Sequence, residues 1–389
     1  MRSAPDPEQA SIDSRARTAD SVNVLIDGCA SFERIIGSID SAATSIVINM
    51  FIWRDDPLGN RIGQALLNAA DRGVEVTVTK DLLGAIFELG EESRQSFFHK
   101  KYGFLTALKQ RVINAYSSRP DFFSWVVQRP NELVVALRQH GNVTIFDDAV
   151  KNDHSKFAIV DDEVLFVGGM NFEERAVSTD ANGLIWRDYL LECQGTGFAL
   201  NLRDRLSGAA RGHSSFEFVL NDPGGKHRFE IKPCVIELLN NARETCHIEM
   251  AYVGDPEVTD SLVDAVCRGV DVHIIVPARA NIQNEHNLKT MREIFQRSGG
   301  RISIYLSPDM LHAKMMDMDS QLIFVGSANF NDRALKNFAE LNVLISGDFA
   351  CAETIRCTFI ARRAASRKVS KIEELDYRKV KALCEYIFG

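Results

Sequence analysis

Apolar residues along this chain alternate between two periods. Short apolar runs, read as strands, are followed by stretches with apolar residues three and four apart, read as helices. Residues 22–26 (Val-Asn-Val-Leu-Ile) predict a strand, and Phe32, Ile35, Ile36 and Ile39 the apolar face of a helix. Residues 45–53 predict a buried strand, Arg54 to Gly59 a turn, and 60–71 a helix carrying Ile62, Leu66, Leu67 and Ala70 on one face. Arg72-Gly-Val-Glu-Val76 opens the next strand. A strand–helix–strand unit implies a parallel pair in an α/β sheet. The unit returns as a helix over 231–242, a strand over 247–252, a helix over 257–267, and Arg268-Gly-Val-Asp-Val272 opening a strand to 276. The chain therefore reads as an internal duplication. The expected fold is α/β, with two pseudo-symmetric α-β-α sandwich halves whose mixed sheets are largely parallel.

This pattern divides the chain into an N-terminal arm (1–20), a first half (21–220), a second half (226–350) and a helical tail (351–389), with Asn221 to Gly225 as the linker turn. Residues 1–20 lack an apolar period and read as flexible. The first half carries extra residues over about 88–137, a stretch rich in aromatics (Phe97, Phe98, Tyr102, Phe104, Trp125) with Lys and Arg interleaved. Such a stretch is either a lid packed on its own aromatics or an element that grips lipid at a membrane interface. The tail has a basic run (Arg362, Arg363, Arg367, Lys368, Lys371) before an amphipathic helix. That run is either a solvated face or an attraction for anionic lipid.

Composition adds limits. Apolar residues make up 45%, charged residues 25%, and the formal net charge is −8, ordinary for a globular protein and unfavourable for a dedicated nucleic-acid binder. The eight cysteines form no C-x-x-C pair and no zinc-like grouping, as expected for reduced, mostly buried thiols. No run approaches the roughly 20 apolar residues of a spanning helix. The expected location is cytoplasmic or peripheral to a membrane.

One element occurs twice. His154, Lys156, Asp161, Gly168, Gly169 and Asn171 recur at the same offsets as His312, Lys314, Asp319, Gly326, Ser327 and Asn329. On a strand, residues two apart point to the same side, so each His and its Lys face one cavity. Pooled, the copies supply two imidazoles, two ammoniums, two amides and the Ser327 hydroxyl. Gly169 allows close backbone approach. Such donors suit a phosphodiester, and two imidazoles suit a nucleophile paired with a general acid/base. Asp188 and Glu340, downstream of the two asparagines, are candidates to hold the imidazoles' other nitrogens. Asp161 and Asp319, at the far ends of the hairpin strands, read as structural acids bonding turn amides. Each copy supplies one His and no Cys, and a lysine beside each His repels a cation, so no metal and no cofactor are expected.

These residues resemble the phospholipase D superfamily, which pairs two His-x-Lys-x-x-x-x-Asp motifs around one phosphodiester site without a metal. The similarity is closest to bacterial cardiolipin synthases and related phosphatidyltransferases. It extends to Ile52-Trp-Arg-Asp-Asp56, Gly168-Gly-Met-Asn171, Trp186-Arg-Asp188, Gly326-Ser-Ala-Asn329 and the Phe-x-x-Arg-Arg segment from 359. The resemblance implies a phospholipase D or phosphatidyltransferase acting on glycerophospholipids through a phosphohistidine. His154 would be the nucleophile and His312 the acid/base. Lys156, Lys314, Asn171, Asn329, Gly169 and Ser327 would surround the phosphate, and Asp188 and Glu340 would orient the imidazoles. The partners implied are a phospholipid substrate and a peripheral membrane surface, with no nucleic acid. A phosphodiesterase or nuclease of the same superfamily, or a purely hydrolytic phospholipase D, are the alternatives. A degenerate, non-enzymatic module is disfavoured because neither copy lacks a His, Lys or Asn.

Overall fold

The computed structural model describes residues 20–90, 96–98, 131–180, 183–212, 214–347 and 350–388. The first unit runs β1 (Ser21–Ile26), α1 (Asp27–Ser41), β2 (Ser45–Met50), α2 (Pro57–Asp71), β3 (Glu75–Lys80), α3 (Leu82–Gly90), α4 (Glu132–Gln139) and β4 (Val143–Phe146). It continues with β5 (Phe157–Val160), β6 (Val164–Gly168), β7 (Trp186–Arg187), β8 (Tyr189–Gln194) and α5 (Thr196–Ser207). The second unit runs β9 (Phe216–Asp222), β10 (Arg228–Phe229), α6 (Ile231–Asn241), β11 (Thr245–Met250), α7 (Pro256–Arg268), β12 (Asp271–Pro277), α8 (Asn284–Arg297) and β13 (Ser303–Ser307). It ends with β14 (Met310–Leu311), β15 (Lys314–Met318), β16 (Leu322–Gly326), α9 (Asp332–Lys336), β17 (Glu340–Ser346), α10 (Ala350–Ala365), β18 (Arg367–Lys368) and α11 (Lys379–Phe388).

The α/β class and the mixed sheets agree with the apolar pattern; the proportion of parallel pairs does not. In the first sheet, β1-β8-β6-β5-β2-β3-β4, only β2–β3 and β3–β4 are parallel. In the second, β10-β9-β17-β16-β15-β11-β12-β13-β18, only β11–β12 and β12–β13 are. The reason is the doubled motif itself. β5–β6 and β15–β16 are hairpins closed by Asp161-Asp162 and Asp319-Ser320, all four with φ between 53° and 54°. Two successive left-handed residues match the twist of antiparallel strands. The division at residue 220 also moves, because β9 pairs with β17 in the second sheet.

The inner faces of the sheets pack on each other. Ile159, Leu165 and Val167 share one apolar cluster with Met315, Ile323 and Val325, and α10 adds Ile355 and Phe359 at its margin. Other helices cover the outer faces: α1 and α2 on the first sheet, α6 and α7 on the second. Sheet meets sheet within this cluster, while α5 (Ala199, Leu202) and α10 pack on the same inner side, so each half carries helices on both sides of its sheet. Arg362, read from sequence as part of a solvated or lipid-facing basic run, is mostly buried. It pairs with Asp27 at 2.6 Å and Glu249 at 2.6 Å, stitching the two units together.

Residues 91–95 and 99–130, most of the aromatic insertion, lie outside the described residues. Phe97 and Phe98 are described: both are buried core residues, the first stacked on Trp53 at 5.0 Å and the second edge-on to it at 5.2 Å.

Each motif Asp ties its hairpin to the loop before the preceding strand. Asp161 accepts from the amides of Ala43, Thr44 and Ser45, and Asp319 from those of Arg243, Glu244 and Thr245. These bonds hold both carboxyls below their usual range although burial opposes it. A depressed folded pKa means stability present at neutral pH and lost as acid protonates the group. Asp161→Ala and Asp319→Ala should each cost about 2–3 kcal/mol in denaturant unfolding at pH 7, with the difference shrinking in acid. A variant that loses turnover while keeping its unfolding midpoint would contradict this structural role.

Candidate active site

The strand β5 begins three residues after His154 and β15 two residues after His312, and each His is fixed by backbone from the other unit. Asp153 bridges Ala339, and the His154 amide donates to the Ala339 carbonyl at 2.8 Å. In the pseudo-symmetric place, Leu311 of β14 pairs with Arg187 of β7, and the His312 amide donates to the Arg187 carbonyl at 2.8 Å. The residues after Ala339 and Arg187 are Glu340 and Asp188. The carboxylates therefore arrive crosswise. His154 Nδ1 lies 2.9 Å from Glu340 of the second unit, and His312 Nδ1 lies 2.8 Å from Asp188 of the first. A carboxylate at Nδ1 favours the tautomer protonated there and leaves Nε2 as the reactive atom.

Asn171 and Asn329 are placed by the same symmetry. The residue after each, Phe172 or Phe330, bridges to Trp53 or Val253 just beyond β2 or β11. Both asparagines and both imidazoles line one cavity of about 100 Å³. The Oδ1 atoms of Asn171 and Asn329 are buried without a hydrogen-bond partner.

The other residues expected at a phosphate sit behind this surface. Lys156 and Lys314 are buried and donate to the carbonyls of His154 and His312, with the Lys314 ammonium also 3.0 Å from His312 Nδ1. Ser327, expected as a phosphate donor, instead gives its hydroxyl proton to Glu340 and accepts from the Leu341 amide. Gly169, expected to bring backbone to the ligand, makes room for Asp188 of its own unit and Lys314 of the opposite one. A Cβ there would lie 2.8 Å from the Asp188 carboxylate and 3.2 Å from the Lys314 side chain.

Burial sets the protonation of this cluster. It pushes the His154 imidazole down to about 4 against the pull of Glu340, and holds His312 well below the ordinary range, with Lys314 adding to it. Burial also lowers Lys156 to about 7 and Lys314 to about 8. Asp188 is raised to about 6 by burial, with Lys314 opposing. Burial works to raise Glu340 too, but His154, Lys156 and the Ser327 hydroxyl outweigh it and keep that carboxyl below its usual range.

With this geometry in place, comparison with known proteins decides the family. A family model described as cardiolipin synthase, PLD-like domain, matches residues 35–189 and 235–362. The chain belongs to the cardiolipin synthase PLD-like domain family. It is 25% identical over 378 residues to the major cardiolipin synthase ClsA of Bacillus subtilis (strain 168), covering 92% of this chain and 71% of that one. It is 27% identical over 347 residues to cardiolipin synthase A of Pseudomonas aeruginosa (strain LESB58), covering 85% of this chain and 64% of that one. The solved phosphatidylserine synthase of Haemophilus influenzae Rd KW20 shares the fold, with a TM-score of 0.67 over 93% of this chain and 92% of that one at 13% identity.

The PLD-like site also holds residues not assigned to it from the sequence. Phe51 packs edge-on to the His154 ring at 4.7 Å, and Phe338 stacks on it at 5.6 Å. Trp186 lies 5.1 Å from the His312 ring and is covered on one face by Arg175 at 3.9 Å. Arg175 in turn pairs with Glu173 at 2.8 Å. Burial works to raise Glu173, but Arg175 and Arg54 together bring it down to about 2. Glu173 and Arg175 follow Asn171 directly, and the density of charge in Asn171-Phe-Glu-Glu-Arg175 was the available hint.

The protonation pattern is testable directly. Nitrogen-15 NMR of the histidines at pH 7 should find His154 and His312 neutral and protonated on Nδ1. An imidazolium, or a proton on Nε2, at either position would contradict the crosswise arrangement.

Proposed function

We propose that this chain is a phosphatidyltransferase that cleaves the phosphodiester of a glycerophospholipid and passes the phosphatidyl group to an alcohol. The observation that carries this reading is the pair of imidazoles lining one cavity, each held at Nδ1 by a carboxylate of the opposite unit. His154 Nε2 attacks phosphorus as the bond to the leaving headgroup oxygen breaks, and His312 delivers a proton to that oxygen. The phosphodiester anion itself raises the proton affinity of His312 on entering, which charges the acid when it is needed. In the second step an alcohol gives its proton to His312, its oxygen bonds to phosphorus, and the bond to His154 breaks. Asn171 and Asn329 hold the phosphoryl oxygens by their amide N–H groups, and the charge of Lys156 and Lys314 behind the site favours the pentavalent anion.

The wall around His154 is built of the Phe51, Phe87 and Phe338 rings, with the Arg333 guanidinium over Phe338 at 5.3 Å. It suits the glyceride part of the donor and keeps water from the phosphohistidine, which favours transfer over hydrolysis. Contact with a membrane surface is supported by α11, whose Val380, Leu383, Tyr386 and Ile387 point outward and are exposed. Among the described residues no helix is long and apolar enough to cross a membrane.

Lipid product analysis with phosphatidylglycerol tests the reading. The protein should convert it to cardiolipin or, with added primary alcohol, to the phosphatidyl alcohol. His154→Ala and His312→Ala should each lower kcat/KM by about 10³-fold or more, because the pair acts as one unit. A single variant that keeps a tenth or more of the activity would refute the shared site.

A further inference from the structure

The two carboxylates that hold the imidazoles are themselves held in different ways. Glu340 stands in the ladder of β17 opposite Asn221, and the Ser327 hydroxyl bonds its carboxylate. Asp188 stands in no ladder. It falls between Arg187, the last residue of β7, and Tyr189, the first of β8. There the chain leaves the small sheet shared with β14 for the seven-stranded one, whose β1–β8 register ends at Ile26 and Tyr189. The Asp188 amide and carbonyl must therefore find partners outside the sheets.

A clasp takes the place of a ladder. Asp27, the first residue of α1, donates its amide to the Asp188 carbonyl at 3.1 Å, and its Oδ1 accepts from the Asp188 amide at 3.1 Å. Asp27 does so with a φ of 62°, a left-handed conformation that a residue other than glycine keeps only where its surroundings fix it. Its Oδ2 accepts at 2.7 Å from Arg187, the residue whose carbonyl receives the His312 amide. Arg362 of α10 closes the clasp. Its Nη2 donates to Asp27 Oδ1 at 2.6 Å and to the Asp188 carbonyl at 3.3 Å. Its Nη1 is anchored on Glu249 at 2.6 Å, and the guanidinium lies over the Tyr189 ring at 4.6 Å. The Tyr189 hydroxyl donates to the same Glu249 at 2.9 Å. Burial raises the Asp188 carboxyl to about 6, and Lys314, the Tyr189 amide and the charge of Arg362 oppose that rise.

We infer that Asp27 and Arg362 are positioning residues for the acid/base: they hold Asp188 against His312 Nδ1 and so keep His312 Nε2 turned towards phosphorus. The inference deepens the transferase reading above and rests on it for the role of His312. Neither side chain lines the catalytic cavity, so both act through Asp188. A planar guanidinium presents donors at fixed angles and bridges two oxygens at once, which a lysine ammonium, a point charge, does not. The clasp serves one imidazole of the two, because His154 takes its direction from Glu340, which the β17 ladder and Ser327 hold. Its loss should therefore separate the two histidines, whereas a general loosening of the packing would affect both. Behind the clasp lies a cleft of about 620 Å³, outside the catalytic cavity and lined by Arg187, Asp309, Thr358 and Arg362. A small cation can reach the place of the Arg362 guanidinium from there.

Arg362→Ala and Asp27→Asn in the full chain test this, with turnover on phosphatidylglycerol vesicles and nitrogen-15 NMR of the histidines as readouts. Arg362→Ala should lower kcat by about 10²-fold, the usual cost of a misplaced catalytic group, with KM within about twofold of wild type. At pH 7 its His312 should show a mixture of the two neutral tautomers, while His154 stays protonated on Nδ1. Millimolar guanidinium should enter the cleft and restore about tenfold in kcat, and urea, of the same shape but uncharged, should not. Asp27→Asn keeps an oxygen for the Asp188 amide and tolerates the left-handed φ. It should shift His312 in the same direction and lower kcat by about tenfold, which covers the case, identified by thermal melting, in which Arg362→Ala does not fold. A wild-type His312 spectrum in a folded variant would overturn the inference. Equal changes at His154 and His312 would also overturn it, by making the clasp a matter of packing alone. Wild-type protein that converts no phospholipid would overturn the transferase reading, and the His312 spectra would then decide the clasp by themselves.

Discussion

A neutral imidazole held by a carboxylate from the opposite unit is the contact on which the site depends. Glu340 and Asp188 are almost wholly buried, and a buried carboxylate without a partner is strongly destabilising. Each finds its partner only when the two sheets pack face to face. The backbone enforces the same condition, since Asp153–Ala339 and Leu311–Arg187 pair across the units just before His154 and His312. Docking of the halves and assembly of the chemistry are thus one event. Arg362 reinforces it from a third direction by joining Asp27 to Glu249.

The duplication is symmetric in backbone and asymmetric in chemistry. At one position the first copy has Gly169, which admits the Asp188 carboxylate, and the second has Ser327, which donates to Glu340. The two carboxylates are shifted in opposite directions: burial raises Asp188, while for Glu340 burial is outweighed by His154, Lys156 and the Ser327 hydroxyl. The imidazoles also sit against different rings, phenylalanines beside His154 and an indole beside His312. Two equivalent imidazoles would have no reason to divide the roles of nucleophile and acid. These differences supply one.

Local physics made much of this legible in the sequence. The apolar periods located the strands and helices that flank the motifs, and the strict repeat picked out the histidines, the asparagines and the motif acids Asp161 and Asp319. What the sequence could not carry was pairing at a distance. Strand–helix–strand units are recognisable by pattern, so the parallel pairs stood out, while β1, β8, β9 and β17 pair antiparallel through contacts with no turn between them. Nothing in the spacing of Asp188 and Glu340 says which imidazole each will meet, because that follows from how the halves dock. Lys156 and Lys314 were expected in the cavity by strand alternation, yet their long side chains fold back onto the motif carbonyls.

Two half-sites that close on one phosphorus would be captured by a crystal structure of the protein with vanadate. A single vanadate should be bonded to His154 Nε2, with His312 Nε2 about 3 Å from the oxygen on its far side. Two vanadates bound separately, or one bonded to His154 with His312 turned out of reach, would contradict it.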